Sequence, residues 1–191
     1  MKKLLGILVL GLFLITPSQA DDIRDLQIEG MSVGDSLLDY FSEAEIKENL
    51  PYKMLEKKKF NSFELYDPAK FKDFDSVQVS FKNSDKNYKI YSITGMIFFE
   101  ESIEDCHKKK DLIVDELSEL FSNRNIYDKG ISLHPGDKSG KSKTNDYYFN
   151  FKSKDYVGVS CYDWDKKTKY TDNVRVVLIT KEYEIFLQGA Y

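Results

Sequence analysis

The most informative reactive side chains are two cysteines, Cys106 and Cys161, the only two in the chain. An even count in an oxidising compartment reads as one disulfide. Cys106 falls on the apolar stripe of a helical pattern, and Cys161 falls in a strand pattern on the face shared with Val157 and Val159, so both sulfurs are expected to point inward. Closing a loop of roughly 55 residues contributes about 4 kcal/mol on the chain-entropy model, a large part of a typical total stability of ~5 to 15 kcal/mol. Neither a C-x-x-C spacing nor a histidine-rich cluster accompanies the pair, so no redox or metal motif is formed.

Other constellations fall short for stated reasons. Pro135-Gly136-Asp137-Lys138-Ser139-Gly140-Lys141-Ser142 ends like a phosphate-binding loop, but Pro135 stands where that loop needs glycine. Proline fixes φ and removes a backbone N–H that would line a phosphate nest. Asp163-Trp164-Asp165 has the look of a calcium loop without its glycine or its closing glutamate, and Lys166 and Lys167 would repel the cation; a charged turn is expected. Of the two histidines, His107 is expected on the lysine side of the helix and His134 at the start of a loop, so neither a metal triad nor a serine nucleophile with its base can be assembled. Carboxylates such as Glu100-Glu101 and Asp73 with Asp75 are abundant, yet runs of this kind are usually solvated faces. No catalytic, cofactor-binding or metal-binding set is therefore assigned, and no cofactor is expected.

The first twenty residues set the compartment. Met1-Lys2-Lys3 is followed by an uncharged stretch from Leu4 to Ile15 and by Thr16-Pro17-Ser18-Gln19-Ala20, the pattern of a signal peptide cut between Ala20 and Asp21. An apolar run of about 12 residues rises only ~18 Å as a helix, short of the ~30 Å hydrocarbon core. Asp21 also leaves no cysteine after the cut to carry a lipid. The mature chain, Asp21 to Tyr191, is expected to be one periplasmic or secreted domain with no stable membrane insertion. Losing the leader removes two lysines and no acid from a net charge of −4, so nothing attracts nucleic acid or anionic lipid.

The elements that must hold these residues follow from periodicity. A helix is expected from Ser32, with Asp35 as its capping partner and Val33, Leu37, Leu38 and Phe41 on one side; a second short one starts at Ser42 with Glu45 and stops before Pro51. Strands are expected near Phe60 to Tyr66, from Asp75 through Phe81, and from Tyr88 to Glu100 with a bulge at Gly95. The strongest helix begins near Ser102 and carries Ile103, Cys106, Ile113, Leu117, Leu120 and Phe121 at helical spacing. Tyr127 to Leu133 is a weak strand pattern, Pro135 to Thr144 reads as a mobile surface loop, and strands follow at Tyr147 to Lys152, Tyr156 to Trp164 and Val174 to Lys181. The class is α+β: a mainly antiparallel sheet with one long helix and a short N-terminal helix pair packed on one face. The other face is expected to meet solvent, a setting that suits 13 tyrosines.

The string from Asp22 to Leu38, the segment Lys89-Ile90-Tyr91-Ser92-Ile93-Thr94-Gly95, the lysine-rich Cys106 helix, and the run from Cys161-Tyr162-Asp163-Trp164 to Tyr170-Thr171-Asp172-Asn173 resemble an uncharacterised family of small exported proteins from marine alphaproteobacteria. The resemblance covers most of the mature chain; it implies export and brings no activity and no functional residues. Gly30-Met31-Ser32 is also similar to the Gly-Met-Thr helix start of small envelope proteins related to the SmpA/OmlA outer-membrane assembly lipoproteins, whose lipid-bearing cysteine this chain lacks.

These features lead to a non-catalytic binding or protein-interaction module with an envelope protein or a small ligand as partner. The rivals are a hydrolase or carbohydrate-active enzyme using paired carboxylates, and a small-molecule carrier. Intact-mass analysis of the protein from its producing cell should find a chain that starts at Asp21 and lacks the two thiol hydrogens. An uncut chain with both thiols open to alkylation overturns the compartment and the disulfide together.

Overall fold

Where apolar and small polar residues alternate, strands form, because successive side chains leave opposite faces. The computed structural model, which describes residues 22–50, 59–67, 69–121 and 125–189, holds seven such strands in one antiparallel sheet. They are β1 (Phe60–Tyr66), β2 (Ser76–Lys82), β3 (Ile90–Phe99), β4 (Asn125–Leu133), β5 (Lys143–Asn150), β6 (Tyr156–Asp163) and β7 (Asp172–Ile179). The helices among the described residues are α1 (Glu43–Glu48), α2 (Ile103–Leu120) and α3 (Lys181–Gln188). The spatial order β1-β2-β3-β7-β6-β5-β4 joins two meanders through the β3–β7 pair, with α2 as the connection between them. The expected α+β class and antiparallel sheet are found. The leader, with Ala20 and Asp21, lies outside the described residues.

One face of the sheet is the core. The row Phe63, Val79, Ile93, Leu178, Val157 and Phe149 runs across six strands, and each of these side chains is buried. Over its centre lies α2, against β3, β6 and β7, burying Cys106, Ile113, Val114 and Leu117. The sulfurs of Cys106 and Cys161 are at bonding distance with their Cα atoms 5.9 Å apart, which ties the first turn of α2 to β6. Beside them the Asn145 side chain accepts from Lys110 Nζ at 3.2 Å and meets His107 Nδ1 at 3.2 Å, so His107 shares a partner with Lys110 and is half-buried against the sheet. Over β1 and β2 the same face is covered by the N-terminal segment, with the Phe41 ring 4.9 Å from that of Phe63.

Several local expectations change. The Ser32 N–H does donate to the Asp35 carboxylate at 2.9 Å, but no α-helix follows, and the Gly30-Met31-Ser32 similarity therefore does not extend to a helix start. Gly34 takes a left-handed φ of 101° and its N–H donates to Ile90 O, so the segment pairs with β3; only a 3-10 turn forms, at Leu37–Asp39, followed by α1 with its Ser42/Glu45 capping box. The bulge lies at Tyr91, not at Gly95: register passes from Ser80↔Ser92 to Phe81↔Ile90, which puts Ile90 and Ile93 into one core and turns Tyr91 to the other face. Pro135 to Ser142 is a hydrogen-bonded turn, in which the Asp137 carboxylate accepts from Ser139 N at 2.8 Å, Ser139 Oγ at 2.7 Å and Ser142 N at 2.9 Å. Those bonds, from Ser142 first and Ser139 next, hold the Asp137 carboxyl below the usual carboxylate range. Lys143 and Thr144 already belong to β5, and α3 was not signalled beyond the end of β7.

Gly95 is a socket for a ring. A Cβ there would sit 2.6 Å from the Phe74 ring, which is itself buried. Gly95→Ala should lower the unfolding free energy by about 1 to 3 kcal/mol in urea melts, the usual cost of overpacking. An unchanged midpoint would mean that Phe74 does not rest on this glycine.

Candidate functional site on the open sheet face

The positions that alternate with the core row point to the side away from α2. They are largely short and polar, and the sheet itself buries them: Ser76, Ser80, Ser92, Thr144, Asp146, Ser160 and Asn173 are all nearly inaccessible. Buried polar groups need partners, and the face supplies several of them laterally, although the Ser76 hydroxyl has none. The carboxylate of Asp146, only 4% exposed, accepts from Lys129 Nζ at 2.9 Å and from Thr144 Oγ1 at 2.9 Å. Two strands away the Arg175 guanidinium donates through Nε to Asn173 Oδ1 at 2.8 Å and lies 4.0 Å over the Tyr162 ring.

One end of this face is covered by α3. Thr180 caps that helix, Lys59 and Lys82 pair with Glu182 at 2.8 and 3.0 Å, and the Phe60 ring meets Tyr183 and Phe186 at 5.1 Å each. The face that the alternation leaves open is thus partly roofed.

Between α3 and the β4 edge lies a cleft of about 330 Å³ lined by Tyr127, Tyr148, Asn150, Lys154, Tyr156 and Glu184. Its floor is aromatic. Tyr148 sits opposite Gly158, and its ring lies 3.5 Å, an ordinary contact distance, from where a Gly158 Cβ would be; the side chain that requires the glycine is Val177, whose Cγ1 would be 2.9 Å from that Cβ. Tyr127 is directly opposite Tyr148 on β4, its ring within 14° of parallel and 6.2 Å away. That separation and angle are those of an offset, near-parallel aromatic pair. Tyr156 stands at 84° to Tyr148 as a wall, its hydroxyl donating to Glu184 Oε2 at 2.8 Å. Burial first, then the Glu184 charge, pushes the Tyr156 phenol up; burial and then the Asp146 charge do the same for Tyr148. Both remain neutral donors at any physiological pH.

A second cleft, of about 420 Å³, is lined by Tyr66, Asp75, Phe98, Glu100 and Thr171, and so brings together one carboxylate from each of the acidic runs read in the sequence. Asp75 Oδ2 accepts the Phe98 N–H at 2.8 Å. At the far end from α3, His134, Tyr162, Trp164 and Tyr170 form an aromatic cluster, with Trp164 4.7 Å from His134 and 4.6 Å from Tyr170. Among the described residues no three His, Cys, Asp or Glu side chains converge as metal ligands, and no helix is long and apolar enough to cross a membrane. Comparison with family models, curated proteins and solved structures returned no match.

The tyrosine cleft was not singled out by sequence. Its one local signal is Gly158 in the middle of a strand pattern, which marks a close approach to the backbone. Trp164 and His134, read apart as a sheet residue and a loop residue, turn out to share one cluster.

His134 gives a pH test of that cluster. Its Nδ1 accepts the Gly136 N–H at 3.1 Å, so the neutral ring carries its proton on Nε2. Burial first, and then the charge of Arg175, pull its pKa below the ordinary value. A proton therefore binds the unfolded chain more readily. The ring's contribution to stability is complete above about pH 6.5 and is lost as pH falls through the lower folded pKa. Histidine NMR titration should place His134 below its free value, and Arg175→Gln should move it part of the way back; an unmoved midpoint would deny the Arg175 contribution.

Proposed function

We propose that this protein is an exported, non-catalytic binding module that meets its partner or ligand with the sheet face opposite α2. A single observation supports the reading: half-exposed aromatic rings on that face are held at fixed angles around a cleft that also carries Asn150, Lys154 and Glu184. Tyr127 is 56% exposed although it lies on a strand, and its neighbours Tyr148 and Tyr156 are half-buried, with Tyr156 held by Glu184 and standing at 84° to Tyr148. Rigid amphipathic rings give contact area at a low entropic cost, which is why they are enriched at recognition surfaces.

Asp75 and Glu100 in one cleft favour a second reading, a hydrolase with paired carboxylates.

Amide hydrogen exchange of the mature protein, with and without envelope extract, separates these. Slowed exchange in β4 to β6, together with no turnover of glycan, peptide or ester substrates, is the expected result. Slowing confined to α2, or turnover that Glu100→Gln abolishes, would overturn the binding-module reading.

A further inference from the structure

We infer that the tyrosine cleft takes a neutral saccharide, stacked on the floor formed by Tyr127 and Tyr148; the inference rests on the open face being a binding surface and names its ligand class. The C–H-rich face of a pyranose ring is weakly electropositive, and the face of an aromatic ring is negative, so the two attract when stacked. Such stacking needs flat rings whose faces are accessible. Gly158, opposite Tyr148, puts no side chain beside that ring, and the near-parallel Tyr127 ring, with its centroid 6.2 Å away, continues the aromatic surface onto β4 at the open edge of the sheet.

The polar groups around that floor select the class further. Both carboxylate oxygens of Glu184 are engaged, by the Tyr156 hydroxyl and by Gln188 Nε2, each at 2.8 Å. The Asn150 amide donates to Asn125 O at 3.1 Å, which leaves its side-chain oxygen as an acceptor. The hydroxyls of Tyr127 and Tyr148 and the ammonium of Lys154 make no hydrogen bond with other described side chains. Hydroxyl groups of a sugar can both donate and accept, so they answer this mixture. A cationic ligand would meet the like charge of Lys154, and an anionic one that of Glu184. A wholly apolar ligand would strip these groups of water with no replacement bond. The volume of about 330 Å³ lies at the lower end of the range for small-ligand sites.

Lys154 itself offers a discriminating variant. It holds a left-handed backbone with φ of 70°, a conformation glycine adopts without strain. Lys154→Gly should therefore leave the melting temperature unchanged or raised while weakening binding several-fold.

The test is calorimetric titration of the mature protein with neutral cello-, malto-, chito- and galacto-oligosaccharides, and with oligogalacturonate and spermidine as anionic and cationic probes. At least one neutral series should bind, Tyr148→Ala should weaken it about tenfold, and Tyr148→Phe, which keeps the ring, should retain most of the affinity. If Tyr148→Ala fails to fold, Tyr148→Phe and Lys154→Gly still carry the comparison. Binding only to oligogalacturonate or spermidine, binding that neither Tyr148→Ala nor Lys154→Gly alters, or no binding of any neutral series would overturn the saccharide assignment. A photo-crosslinking residue in place of Tyr127 tells the two levels apart: efficient capture of a protein with no saccharide binding sinks the ligand class and leaves the binding face intact, whereas failure of both sinks both.

Discussion

The fold depends on α2 being pinned to one face of the sheet. That helix is the connection between two meanders that would otherwise be separate antiparallel units, and its apolar stripe covers the strands where they meet, β3, β7 and β6. The Cys106–Cys161 pair fixes the contact at its start, and the adjacent His107, with Lys110 one turn further along, holds the Asn145 side chain. Once the helix is on that side, each strand of the core row sends its Phe63, Val79, Ile93, Leu178, Val157 or Phe149 side chain there and the residues that alternate with it to the other face, where Phe60 and Val177 also lie. A one-residue slip in any strand would reverse the two sets, so a half-covered sheet fixes its own register.

The opposite face then carries a polar set too large for solvent alone to serve, because the side chains are short and the strands crowd them. The consequence is a lateral network: Asp146 held by Lys129 and Thr144, Arg175 held by Asn173 and stacked on Tyr162, Ser62 and Ser80 paired at 3.0 Å. Around it stand the larger aromatics, and α3 closes one end by setting Tyr183 and Phe186 on Phe60. The tyrosine cleft lies between that roof and the open β4 edge, where the face is shaped but not filled.

Legibility of the sequence follows the strength of local periodicity. β2 and α2 were readable because each has a single dominant period and flanking turn or cap residues, and Cys106 and Cys161 could be paired because both lie on apolar faces. The Ser32 helix was misread because Asp35 does make the capping bond, while Gly34 in a left-handed conformation diverts the backbone toward β3; a local signal was met by a non-local partner. Gly95 and Tyr91 exchanged roles for a similar reason. Whether a strand glycine marks a bulge or a ring socket depends on Phe74, which is distant in the chain.

Sequence by itself determined the class of the fold, the inward direction of both cysteines and the α2 stripe, because each depends on residues within a turn or two of one another. Tertiary structure alone decided the site. Tyr127, Tyr148, Tyr156 and Glu184 come from four elements, and they meet only because the antiparallel register sets β4, β5 and β6 side by side and α3 folds back over the end of the sheet. Pairing across strands is set by the whole sheet's burial pattern, and no single segment carries that information.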